Sequence, residues 1–173
     1  MGKLKLKIGD LFTIPLENQE TSFGQIVNFP NSKDVFIMCV FDKKQNVESE
    51  IKPKEICESP VLLLGYSTDA KLYHKDWLLV GNYTENISKI VLPFHRLGTP
   101  PTDIYLVDYS GKRIKEIDEE LFNQLSYQTS YSPIRYENAL KAHFKLQEWK
   151  NDDYDKLLYE YTLKGNKIAL AQV

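Results

Sequence analysis

The chain has 173 residues, of which 42% are hydrophobic and 27% charged, and its formal net charge is -2 at pH 7. This composition excludes a disordered or fibrous chain, and the length fits one globular domain with a buried core. The small net charge argues against a surface that grips nucleic-acid phosphates throughout, and equally against an acidic mimic of DNA. We therefore expect residues 1–173 to form a single domain.

The first part of the chain predicts a meander of β-strands. Residues 4–8 alternate leucine or isoleucine with lysine, the period of two that is typical of a strand with one buried face. After a turn at Gly9-Asp10, residues 12–16 predict a second strand, and residues 23–27 predict the return strand. Residues 35–41 are apolar throughout, so we expect this strand to be central and covered on both faces.

Two residues in these strands indicate irregular pairing. Pro15 cannot donate a backbone hydrogen bond, so it predicts an edge or a bulge. Gly24 predicts a bulge or a close backbone approach, as small twisted barrels require. Together these strands predict a strongly twisted, mostly antiparallel sheet, an SH3-like partial barrel.

The middle of the chain alternates polar and apolar segments. Residues 42–59 are polar and predict a mobile surface excursion with at most one short helix. Four further apolar runs predict strands, and we expect the first two to pair as a hairpin. These runs are residues 61–66, 77–83, 90–94 and 104–109.

Helices are predicted late in the chain. Asp118 is placed to cap a short helix, and Ser132-Pro133 is a typical start for a second one, over residues 133–147. Residues 151–153 either cap a last short helix or lead into a strand, and the chain from Lys164 onward is predicted to fray. The predicted fold class is therefore α+β, a partial barrel covered by late helices.

Location and redox state follow from two further features. The start of the chain carries lysines where a signal peptide needs its hydrophobic region, and the sequence has no long uncharged apolar run. Cys39 and Cys57 fit reduced thiols better than a disulfide framework. These features predict a cytoplasmic protein without a membrane partner.

No catalytic motif is evident. His74, His95 and His143 lack the close spacing of zinc ligands, and the sequence contains no nucleophile elbow, phosphate-binding glycine loop or dinucleotide fingerprint. His74 and His95 are the more interesting histidines, because they fall in loops at the ends of predicted strands.

Two acidic groups and one tyrosine-rich stretch are candidate binding surfaces. Acidic groups near helix starts usually complement the helix dipole, but they also form docking patches for basic partners. The tyrosine-rich stretch covers residues 127–136. The first acidic group is Glu116, Asp118, Glu119 and Glu120, and the second is Asp152, Asp153 and Asp155.

Several of these segments together resemble the immunity protein 26 family. The resemblance lies in the run from Lys7 to Leu16, in Phe23-Gly24-Gln25-Ile26, and in the apolar strand that ends at Phe41-Asp42. It continues through single positions and a late helix. These are Trp77, Gly81-Asn82-Tyr83, Pro93, the helix from Ser132-Pro133 to Leu140, and Trp149.

The resemblance implies a small cytosolic bacterial protein that neutralises the toxin domain of a polymorphic or contact-dependent toxin by binding it, without a cofactor. The family supplies no binding motif to transfer to this chain. Our own candidates for toxin binding are Glu116, Asp118, Glu119, Glu120, Tyr127 and Tyr131. The activity of the toxin and the oligomeric state stay open.

Two alternatives come from other functional classes. Some similar sequences carry a phosphotriesterase label, and metal-assisted hydrolysis of that kind would use His74, Asp76 and His95. The other alternative is a nucleic-acid-binding module on the SH3-like strands. Its contacts would come from Lys3, Lys5 and Lys7.

Overall fold

The computed structural model describes residues 4–31 and 34–171, and their strands form two antiparallel sheets. The strands are β1 (Asp10–Pro15), β2 (Glu20–Asn28), β3 (Val35–Asn46), β4 (Val61–Thr68), β5 (Leu79–Asn82), β6 (His95–Thr99), β7 (Thr102–Val107) and β8 (Arg113–Glu116). The larger sheet has the order β4-β3-β2-β1-β5, and the smaller has the order β6-β7-β8. The predicted α+β class is confirmed, and the open larger sheet is consistent with the predicted partial barrel.

Helices lie both between and after the strands, so the prediction that they come only late in the chain was wrong for α1 and α2. The α-helices are α1 (Pro53–Cys57), α2 (Ala70–Tyr73), α3 (Glu119–Gln124), α4 (Pro133–His143), α5 (Asn151–Tyr154) and α6 (Tyr159–Leu170). Short 3-10 helices occupy Ile87–Lys89 and Asp155–Leu157. Among the described residues, no helix is both long and apolar enough to cross a bilayer.

Strand β3 is covered on both faces, as its uninterrupted apolar run predicts. Residues 36, 38 and 40 join one core cluster, which contains Tyr136 and Leu140 of α4. Residues 37, 39 and 41 join a second cluster on the opposite face, which contains Ile56 of α1. A third cluster, separate from both, lies between the smaller sheet and helices α3 and α6.

Gly24 makes the close approach that the sequence predicts. It pairs with Phe12 of β1, and a Cβ atom at this position would lie 2.4 Å from the Phe12 ring. The space is needed because Phe12 stacks on Trp77, with ring centroids 5.2 Å apart and planes 7° from parallel. The register also shifts between Ser22 and Gly24, which is the predicted irregularity.

The turn between β1 and β2 contains a correctable strain. Asn18 and Gln19 both have φ of 58°, the left-handed conformation that suits Asn-Gly in hairpin turns. We expect Gln19→Gly to raise the free energy of unfolding by about 1 kcal/mol, measured by urea denaturation. The same substitution at Gln45, in β3, is expected to lower it, and a loss of stability in Gln19→Gly would contradict this interpretation.

Two predicted strands are absent. In one case the neighbouring strand already has partners on both sides, and in the other the backbone is hydrogen-bonded to side chains. Residues 4–7 form no strand, since β1 already pairs with β2 on one side and β5 on the other. Residues 90–94 also form no strand. Their backbone bonds go to side chains of α6: Asn166 accepts from Phe94 N and donates to Leu92 O, and the Tyr159 hydroxyl accepts from Val91 N.

Four other expectations differ from the structure in whole or in part. Strand β5 pairs with β1 rather than with β4, because Ser130 and Leu158 form bridges with β4. The segment predicted as a surface excursion begins with the end of β3, which continues to Asn46 beside β2. The chain does not fray from Lys164, since α6 extends to Leu170. Helix α4, predicted over residues 133–147, is present but ends at His143.

Candidate partner-binding site

A cavity of about 290 Å³ lies where β4, β6, the end of α3 and helix α6 meet. Tyr127 and Tyr131, both predicted binding residues, line it. They follow α3 in a segment that forms bridges to both sheets: Tyr127 with Arg96, and Ser130 with Tyr66. The tyrosine-rich stretch is therefore held at the junction of the two sheets.

His95 also lines this cavity, and its side chain is buried at 8% exposure. The Tyr66 hydroxyl donates to the Tyr109 carbonyl at 2.7 Å and lies 3.0 Å from His95 Nε2. Since a carbonyl only accepts, the hydroxyl accepts from Nε2–H of the neutral imidazole. Burial lowers the pKa of His95 from 6.5 to about 4, partly offset by a backbone group of Ser126, so the ring is uncharged at pH 7.

Tyr127 is exposed yet fixed in position. Its side chain is 45% exposed, and its hydroxyl donates to Gly98 O at 3.0 Å. The Arg96 guanidinium lies 4.3 Å from the Tyr127 ring centroid and 4.6 Å from that of Phe122, and it donates to Phe122 O. A tyrosine held in this way loses little conformational entropy when a partner covers it.

Tyr131 is half-buried and anchored through its backbone. Its N–H donates to Tyr66 O at 3.0 Å, and its carbonyl accepts from Ser67 Oγ. Its ring lies 4.8 Å from the Arg135 guanidinium, which pairs with Asp153. Tyr131 therefore combines a structural role in joining the segment to β4 with a position on the cavity wall.

The predicted acidic residues lie at the other end of α3. Asp118 caps this helix by accepting from Leu121 N at 2.8 Å, which confirms the predicted cap and gives that carboxylate a structural task. Glu116, Glu119 and Glu120 are exposed. Since Gln124 at the end of α3 lines the cavity, six helical residues, or roughly 9 Å, separate the acidic start from the cavity.

The second acidic group is mostly engaged in local contacts. Asp153 pairs with Arg135 at 2.5 Å, and Asp155 accepts from Trp149 Nε1 at 2.8 Å. Asp152 is exposed in the first turn of α5, where it complements the helix dipole. These contacts favour the structural interpretation of this group.

The residues proposed for metal-assisted hydrolysis are not brought together. His95 lines the cavity, whereas His74 lies with Trp77 and Leu79 along a separate depression, and Asp76 pairs with Lys71 at 3.1 Å. Within residues 4–31 and 34–171, no three His, Cys, Asp or Glu side chains form a group that could hold a metal ion. The donor set that this chemistry requires is therefore not assembled in the described chain.

The lysines proposed for nucleic-acid contacts are only partly described. Lys3 lies outside the described residues, and Lys5 and Lys7 are exposed. Their segment is not a strand, so the SH3-like surface assumed for that alternative does not include it.

Sequence reasoning missed several residues of the site. No sequence pattern points to Arg96. Lys156 falls in the segment predicted as a last helix or strand, Lys164 is the start of the predicted fraying, and Tyr161 lies between them, yet all three line the cavity. A signal was present in α6, because Thr162, Asn166 and Ala169 recur at the spacing of one helix face and are all buried. Two of these residues are polar, which hides the pattern from a search for apolar periodicity.

A comparison with known protein families matches residues 7–98 to the family described as Immunity protein 26. No curated protein and no solved structure gives a significant match to the chain. The matched region contains the larger sheet and most of β6, whereas Tyr127, Tyr131 and helix α3 follow it. Because residues 7–98 make up more than half of the 173 residues, the chain belongs to the Immunity protein 26 family.

Proposed function

We propose that this protein is a bacterial immunity protein that binds a cognate toxin domain in the cytoplasm and thereby neutralises it. Membership of the family supports an immunity function. The observation that carries the binding mode is Tyr127, an exposed ring held in place by Arg96 and Gly98 beside a cavity. Rigid aromatic anchors next to pockets are typical of the residues that dominate binding energy at interfaces.

We place the toxin-binding face on the cavity and on the start of α3. Residues 116–131 supply the start of α3 and the tyrosine wall of the cavity, and they lie outside the region that matches the family, whereas β4 and β6 within that region form the opposite wall. The matched region provides the sheet scaffold, so the segment beyond it is suited to carry recognition of one particular toxin. Glu116, Glu119 and Glu120 would attract a basic part of the toxin and raise the association rate.

The function is tested by co-expression with a candidate toxin domain, sought in the reading frames next to this gene. The wild-type protein is expected to restore growth of cells that produce the toxin. The combined Tyr127→Ala and Tyr131→Ala variant is expected to lose at least tenfold in affinity for the purified toxin domain, because it removes both aromatic anchors. Reversing Glu116, Glu119 and Glu120 to lysine is expected to slow association, while Asp118 is kept because it caps α3.

Tyr73→Ala is the matched control for the aromatic variant. Its side chain is 49% exposed, close to the 45% of Tyr127, but it lies along the separate depression near Trp77. It is expected to bind like the wild type. If the wild-type protein does not restore growth, the immunity function is refuted. If the tyrosine and glutamate variants bind the toxin domain with wild-type affinity, only the proposed binding face is refuted.

A further inference from the structure

The cavity is cationic at neutral pH. Lys156 and Lys164 are exposed and line it, and no aspartate or glutamate is among the described residues of its lining. His95 adds no charge there, because its buried ring is neutral at pH 7. Lys164 contacts Glu160 at 3.1 Å, but both side chains are 72% exposed, so this pair is weak and can yield to a better partner.

The walls of the same cavity are largely apolar and aromatic. Tyr127, Tyr131 and Tyr161 line it together with Leu125 and Ile168. Its volume of about 290 Å³ lies at the lower limit of small-molecule sites, which start at about 300 Å³. This size suits one or two inserted side chains better than a large ligand.

Resting on the proposed function, we infer that the cavity receives a short acidic segment of the toxin. One apolar or aromatic side chain enters between the tyrosines, and a neighbouring carboxylate pairs with Lys156 and Lys164. The acidic start of α3, roughly 9 Å away, then faces a basic part of the toxin. Opposite charges at the two ends of α3 allow one orientation of the toxin and disfavour its reverse.

The charge component is tested by measuring the affinity and association rate of the purified toxin domain. The double variant Lys156→Glu with Lys164→Glu is expected to raise Kd at least tenfold, mainly through slower association, and the effect is expected to shrink at high salt. The control is Lys54→Glu with Lys167→Glu. It makes the same change in net charge at exposed lysines outside the cavity lining and is expected to bind within twofold of the wild type.

The steric component is tested at Gly165, which lines the cavity within α6. A Cβ atom built at Gly165 meets no atom within 4 Å, so a side chain at this position begins in open space. Both Gly165→Ala and Gly165→Trp are expected to be at least as heat-stable as the wild type, since glycine is unfavourable within a helix. Gly165→Trp is expected to weaken toxin binding at least tenfold by filling the cavity, and Gly165→Ala is expected to leave it within twofold.

The outcomes separate this inference from the proposed function. If the wild-type protein neither protects cells nor binds the toxin domain, the proposed function fails. If the wild type binds and Gly165→Trp binds equally well, the cavity is not the docking site. If Gly165→Trp weakens binding but the reversal of Lys156 and Lys164 does not, the inserted segment is not acidic and the inference is overturned.

Discussion

Glu137→Ala is expected to lower the free energy of unfolding by about 3 kcal/mol, because it breaks a buried hydrogen-bonded ion pair. Glu137 is 6% exposed and accepts from Trp77 Nε1 at 3.1 Å and from Lys141 Nζ at 2.9 Å, with Lys71 Nζ at 3.8 Å. Its removal leaves the buried indole N–H without an acceptor and two partly buried lysines without this carboxylate. For a chain of this length the melting temperature should fall by roughly 10 °C.

The exposed pair Glu160 and Lys164 is a matched control for this prediction. It has the same four-residue spacing as Glu137 and Lys141 but is 72% exposed on both sides. Glu160→Ala is expected to cost at most about 0.5 kcal/mol in urea denaturation. Glu137→Gln, which keeps an acceptor for Trp77, is expected to fall between the two. Equal losses from Glu137→Ala and Glu160→Ala would show that the buried contacts of Glu137, in α4, with Trp77 and with Lys71 of α2 do not stabilise the fold.

His95 is expected to make the protein less stable in mild acid. Its folded-state pKa is about 4 against 6.5 for an ordinary histidine, so between these values the unfolded chain binds more protons than the folded one. The stabilising effect of the neutral ring is therefore fully present above pH 6.5 and is lost as the pH falls toward 4. At about 1.4 kcal/mol for each pH unit, the loss in free energy of unfolding is about 3 kcal/mol.

The measurement is urea denaturation of the wild type and His95→Gln at pH 7 and pH 4. Glutamine keeps an N–H that can donate to Tyr66 but does not titrate, so the drop in stability on acidification should be smaller by about 3 kcal/mol. His74→Gln removes an exposed histidine and is expected to keep the wild-type drop. Identical drops in all three proteins would mean that His95 does not remain neutral in the folded state.

Local patterns predicted the elements whose formation depends on nearby residues. The apolar run of β3 required cover on both faces, Gly24 required a close approach, and Asp118 capped α3, all as the structure shows. Each of these properties depends on side-chain size or hydrogen bonding within a few residues. This is also why the α+β class and the family resemblance could be predicted from the chain alone.

Which strands pair with each other could not be predicted in the same way. Strand β5 pairs with β1 across about 70 residues of sequence, and residues 90–94 give their backbone bonds to α6 instead of to a strand. Apolar runs indicate that a strand is possible, but they do not indicate which edge is free. The edge beside β4 is taken by Ser130 and Leu158, which lie far along the chain.

By itself, the sequence determined a central strand covered on both faces, a capped α3, a helix starting at Ser132-Pro133, and two tyrosines as candidate binding residues. Only the tertiary structure decided that Tyr127 and Tyr131 share a cavity with His95, Lys156 and Lys164, and that the acidic residues lie at the opposite end of α3. The physical reason is that a cavity is formed by elements distant in sequence. Its charge and shape depend on how β4, β6 and α6 pack together, and no local pattern records that packing.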